Sequence, residues 1–241
     1  MNIRQALEER KKPLVLDGGF GTMVQRYGLK EEDFRGYRYR DIPGMLLGNN
    51  EMLCLTRPDV VGDIYRAYVD AGADILTANT FSANSISQAD YNCQHLVAEM
   101  NREAVRLARR AFADSGREGF VIATVGPTNK SLSISPDIND PACRAITFDQ
   151  LAEAYMGQME VLAQEGVDAI LLETVFDTLN AKAGIYAMQE VMQRTGKDIP
   201  LMLSATVNDT AGRLLSGQTL EAFLISVSHA PLLSIGLNCS F

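Results

Sequence analysis

The chain has 241 residues, 46% hydrophobic and 22% charged, which is enough to bury a sizeable core and excludes a disordered or fibrous protein. Its 30 acidic residues outnumber 22 basic ones, and a net charge of -8 argues against general affinity for nucleic-acid phosphates or anionic lipid.

Residues 1–12 form a charged amphipathic stretch with Ile3, Ala6, Leu7 and Arg10, and lack the apolar centre of a secretory signal. No apolar run of about eighteen residues is available to span a membrane. The cysteines Cys54, Cys93, Cys143 and Cys239 stand far apart with no Cys-x-x-Cys pair. Neither a disulfide framework nor a local zinc knuckle is indicated, and a cytosolic, reduced protein is expected.

Short, nearly continuous apolar segments at residues 13–16, 74–78, 120–125, 168–172, 200–207 and 232–237 predict strands covered on both faces. Between them, apolar residues at three- and four-residue spacing predict helices over 58–71, 96–114, 148–165, 178–195 and 219–227. Pro58 sits in a first turn, Thr147 or Asp149 and Asp177 stand at cap positions, and Gly72, Gly116, Gly166 and Gly196 follow helix ends. Strand and helix therefore alternate, as in a parallel α/β protein.

The residues just beyond the apolar runs decide between two architectures. They are Asp17, Asn79, Gly126 with Thr128, Glu173, Asn208 and Asn238-Cys239. All six ends are polar or reactive, which favours a (β/α)8 TIM-type barrel, where every loop after a strand converges on one mouth, over a doubly wound sheet. Six of eight strand-helix units can be counted, so an incomplete single barrel domain over residues 1–241 is expected.

Asp17-Gly18-Gly19-Phe20-Gly21-Thr22 follows the first predicted strand. Its glycines either let backbone amides approach an anion or serve a tight turn with positive φ. It is no dinucleotide fingerprint, because Val24 stands where a third glycine belongs. Glu173 would project into the mouth opposite Asp17, and two carboxylates there suit an ammonium group or acid/base work, unless Glu173 simply pairs with a base or caps a helix. Asn79 and Asn238 either orient a ligand or satisfy loop backbone.

Cys239 is the cysteine at a strand end, while Cys54, Cys93 and Cys143 read as structural and His95 and His229 fall in helical stretches. Residues 126–137 form a long polar loop, read either as a lid or subunit contact or as a solvated insertion. Arg35-Gly36-Tyr37-Arg38-Tyr39-Arg40 interleaves basic and aromatic residues but reads as a surface loop on so acidic a chain.

Several blocks together resemble the homocysteine-binding module of cobalamin-dependent methionine synthases, among the homocysteine S-methyltransferases. They include Leu16-Asp17-Gly18-Gly19-Phe20-Gly21-Thr22-Met23, Asn79-Thr80-Phe81, Gly126-Pro127-Thr128-Asn129 with Ser133-Ile134-Ser135-Pro136-Asp137, Leu172-Glu173-Thr174-Val175-Phe176-Asp177-Thr178-Leu179-Asn180-Ala181-Lys182, Leu215-Ser216-Gly217-Gln218-Thr219 and Gly236-Leu237-Asn238-Cys239, the 126–137 and 172–182 blocks pointing to the cobalamin-dependent enzyme. The resemblance implies a barrel that binds homocysteine through Asp17 and Glu173 at its ammonium and through the Gly18-Gly19 backbone at its carboxylate, with Asn238 nearby. It also implies zinc held by Cys239 and an adjacent cysteine pair that has no match in this chain. Methylcobalamin would supply the methyl group and methyltetrahydrofolate would restore it, each on a further module of the same enzyme. A stand-alone methyltransferase using a sulfonium or betaine donor, and a non-catalytic, metal-free barrel unit, are the alternative expectations.

Overall fold

In the computed structural model, which describes residues 1–9, 12–207 and 209–240, five parallel strands pair in chain order. They are β1 (Ile75–Ala78), β2 (Phe120–Val125), β3 (Ala169–Val175), β4 (Leu201–Ala205) and β5 (Leu232–Leu237). Arg10 and Asn208, both singled out in the sequence, lie outside the described residues. A doubly wound sheet reverses its strand order at a switch point; this sheet does not, and its order is that of a barrel wall.

The strand expected at residues 13–16 needs correcting, since it supplies only a parallel bridge between Leu16 and Ile75. Pro13 has no amide, and the Val15 amide donates to the Asp74 carboxylate at 3.0 Å instead of to a neighbouring strand. The segment still follows β1, because the Asp74 and Ile75 amides donate to Val15 O and the Asp17 amide donates to Ile75 O.

Short helices α1 (Ile3–Glu9), α2 (Phe20–Gln25), α3 (Glu31–Arg35) and α4 (Leu53–Thr56) come first, and α5 (Pro58–Asp70) leads into β1. Next are α6 (Ser85–Ala89), α7 (Val97–Ser115), α8 (Phe148–Gln164), α9 (Thr178–Thr195) and α10 (Leu220–Val227). The caps explain where the long helices begin. Thr147 Oγ1 accepts the Gln150 amide while Gln150 Oε1 accepts the Thr147 amide, a reciprocal box that starts α8. Asp177 Oδ1 accepts the Leu179 amide at the head of α9, and Gly196 ends that helix at φ 67, a left-handed turn that needs no Cβ. His95 lies in a 3-10 turn and His229 in the turn after α10, so neither sits within a long helix as expected.

Side chains alternate along each strand, and this alternation builds two layers. Leu76, Val121, Ala123, Ile170, Leu172, Leu201 and Leu203 point outward into the main core under the helices. Ile75, Ile122, Ala169 and Leu171 point inward to a smaller cluster, closed by Ile3 of α1, which is 2% exposed. Farther along the same inward faces stand Thr77, Thr124 and Glu173, where the interior turns polar at the C-terminal ends of the strands.

The loop over 126–137 is pinned at its middle, while Ser133, Ile134, Pro136 and Asp137 are exposed. Ser133 N and Oγ donate to Asp177, Leu132 N donates to Asn180 Oδ1, and Asn180 Nδ2 donates to Lys130 O. Leu132 itself is buried. The basic and aromatic segment is likewise used internally: Arg35 donates to Ile42 O and Gly44 O, and Arg38 pairs with Glu99. Among the described residues, no helix is long and apolar enough to cross a membrane.

Candidate functional site at the strand ends

A cavity of about 560 Å³ opens at the C-terminal ends of the strands. Asp17, Gly18, Gly19, Asn79, Glu173, Asn238 and Cys239 all line it. Among the described residues the predicted strand-end residues thus converge, except Gly126, which is not part of the lining, and Thr128, which turns back to bond Lys130; Asn208 lies outside the described residues.

Asp17 is held by β1: Thr77 N donates to Oδ2 at 2.8 Å and Thr77 Oγ1 to Oδ1 at 2.9 Å. These bonds favour the charged form, yet burial outweighs them and pushes the carboxyl up to about 7. Glu173 also rises to about 7, chiefly through burial and then through repulsion from Asp17. Two poorly solvated carboxylates, with the charge of Asp17 raising Glu173 further, form a site that a cation would relieve.

Glu173 does not follow its strand, as the sequence suggested, but lies within β3 at a register shift between Leu172 and Val175. The neighbouring Thr174 adopts φ 57, a left-handed conformation that is strained for a β-branched residue by about 1–3 kcal/mol. Asn238, just past β5, holds this bulge. Its Oδ1 accepts Thr174 N at 3.0 Å and Ser204 Oγ at 2.7 Å. Its Nδ2 donates to Glu173 Oε2 at 3.0 Å and to Thr174 Oγ1 at 2.8 Å, so one amide aims the carboxylate and ties together β3, β4 and β5.

The glycine turn works by close approach, not by positive φ, which neither Gly18 nor Gly19 shows. A Cβ on Gly18 would lie 2.9 Å from the Tyr68 hydroxyl, and that hydroxyl donates to Gly19 O at 3.2 Å. Asn79 is a structural residue: its amide nitrogen Nδ2 donates to Asn50 O, and its backbone amide donates to Tyr65 Oη. Sequence reasoning missed Thr77, Thr124 and the buried Glu51, which also line the cavity. Two-residue spacing from Ile75 and Ile122 could have found the threonines, but Glu51 lies in an irregular segment that carries no such signal.

Zinc needs several ligands around one point. Cys239 is exposed at the mouth at φ 49, whereas Cys54 and Cys93 are buried in the helical core and Cys143 is in a loop. Burial pushes the Cys54 thiol up to about 12. Among the described residues, no three His, Cys, Asp or Glu side chains converge as a metal site. The described residues by themselves do not fit zinc.

Residues 14–241 match the family described as homocysteine S-methyltransferase. Among solved structures, the oxidised form of homocysteine methyltransferase MmuM from Escherichia coli is 19% identical with a TM-score of 0.75, the match covering 99% of this chain and 77% of that one. The metallated form of the same enzyme is 18% identical with a TM-score of 0.73, covering 98% and 77%. At such identities the likeness bears on the fold.

Proposed function

Because the chain belongs to the homocysteine S-methyltransferase family, whose reaction is methyl transfer to homocysteine, we propose that its mouth holds homocysteine with the ammonium between Asp17 and Glu173. The observation that carries this reading is the pair of desolvated carboxylates in one cavity, one fixed by Thr77 and the other by Asn238. The ammonium would draw both into their charged forms. The backbone of Gly18 and Gly19 would face the substrate carboxylate, and the thiol would extend toward Cys239.

The residues of this chain would bind and orient the amino acid and shield it from water. The thiol, having given up its proton to solvent, forms the new S–CH3 bond through its sulfur as the methyl–donor bond breaks and its electron pair stays with the donor. We assign the donor as methylcobalamin on a separate module, with methyltetrahydrofolate serving a third, on the strength of the blocks over 126–137 and 172–182. In the zinc-dependent scheme Cys239 would be one ligand, and its partners would have to come from outside the described residues.

The test is selectivity for the ammonium. Titration calorimetry with L-homocysteine and with 4-mercaptobutyrate, its analogue without the amino group, is expected to show at least about tenfold tighter binding of homocysteine. Equal affinities would contradict the assignment of Asp17 and Glu173.

A further inference from the structure

Glu51 lies in a short 3-10 turn (Asn50–Met52), is 5% exposed, and lines the same cavity as Asp17 and Glu173. One carboxyl oxygen accepts the Ser82 amide at 2.8 Å. Among the described residues no other residue hydrogen-bonds its second oxygen, and that oxygen is not among the sealed, unpartnered atoms. The open space beside it is the cavity.

The position of this turn says which end of a ligand it would meet. Asn50 Nδ2 lies 3.6 Å from where a Cβ on Gly21 would stand, so the turn abuts the glycine segment 18–21. Burial raises the Glu51 pKa against opposing bonds from the Ser82 amide and its own, so the carboxyl holds a proton more tightly than a free one. In its protonated form the carboxyl has an O–H to donate.

We propose that Glu51 is a further substrate-binding residue, whose carboxyl donates a hydrogen bond to the carboxylate of the bound amino acid. It would work beside the glycine backbone, so that the cavity carries separate receptors for the two ends of an α-amino acid. A neutral donor suits an anion here because a second ionised carboxylate would repel it, and an unmade bond in so buried a place is expensive. The inference rests on the homocysteine reading given above and deepens it.

The experiment compares L-homocysteine with 3-aminopropane-1-thiol, which keeps the ammonium and thiol but lacks the carboxylate. In this chain Glu51→Met is expected to weaken homocysteine binding about tenfold and to change binding of the analogue less than about twofold. Glu51→Gln, which retains a donor and the acceptor for Ser82, is expected to restore homocysteine binding. Equal weakening of both ligands by Glu51→Met would show a structural role and overturn the proposal, as would no change in either. Should Glu51→Met not fold, infrared difference spectra on the wild-type chain decide. L-methionine is expected to shift a protonated-carboxyl band that is absent in Glu51→Gln, and an unmoved band overturns the proposal. If the wild-type chain binds neither thiol, it is the homocysteine reading that fails.

Discussion

Asp17 and Glu173 concentrate the physical tension of the molecule at the scale of single residues. Each is raised to about 7, so each holds its proton more tightly in the folded chain than in the unfolded one. The stability this contributes is complete below about pH 4 and is lost as the pH climbs through 7. Glu173→Gln cannot ionise and can still accept from Asn238. It is therefore expected to match the wild type near pH 4 and to exceed it at pH 8 by about 1–3 kcal/mol, a rise of several degrees in Tm. Thermal melts at the two pH values check this, and a variant less stable at pH 8 would contradict it. Gly18 poses a steric problem instead. Its φ tolerates alanine, but the new Cβ would press on the Tyr68 hydroxyl at 2.9 Å. Gly18→Ala is expected to weaken ligand binding, and adding Tyr68→Phe, which removes the crowded oxygen, to recover part of the loss in titration calorimetry.

Asn238 shows how secondary-structure elements build the site. It accepts from the β3 bulge and from Ser204 of β4 while standing just past β5, so three strand ends share one amide. Asn238→Ala would leave the Thr174 amide without its partner and is expected to cost about 1–3 kcal/mol, read from the denaturant midpoint, while freeing Glu173. The elements around this site differ in how legible they are. Strand β2 and helix α9 stand where their apolar patterns put them, because burial on both faces or a helical stripe marks each one; β5 also keeps its expected bounds, but its second half is exposed and not covered on both faces as its apolar run suggested. Helix α2 is hidden, since Phe20-Gly21-Thr22 looks like turn chemistry and its structure comes from packing near Tyr65. The bulge at Glu173 is equally silent: an apolar run ending in a glutamate does not reveal a positive φ at Thr174. Glu51 is missed because a polar Asn49-Asn50-Glu51 stretch gives no hint that the fold closes over it.

On the scale of the whole molecule, five parallel strands in chain order bring residues as far apart in sequence as Asp17 and Asn238 to one mouth. Their common location was readable from the sequence, because polar residues end the apolar runs and a barrel gathers those ends. Their energetics were not, since desolvation depends on how deeply the cavity is set. A receptor of this kind has a signature that loop scaffolding lacks, namely that ligand binding depends on ionising two reluctant carboxylates. The most direct test is the affinity of the chain for L-methionine, which offers the same ammonium and carboxylate without a titrating thiol, measured by calorimetry between pH 5.5 and 8. The affinity is expected to rise about tenfold or more over that range in the wild type and to lose most of the rise in the Asp17→Asn, Glu173→Gln double variant. A pH-independent affinity, or a rise that survives both substitutions, would contradict the assignment of these carboxylates as the receptor for the substrate ammonium.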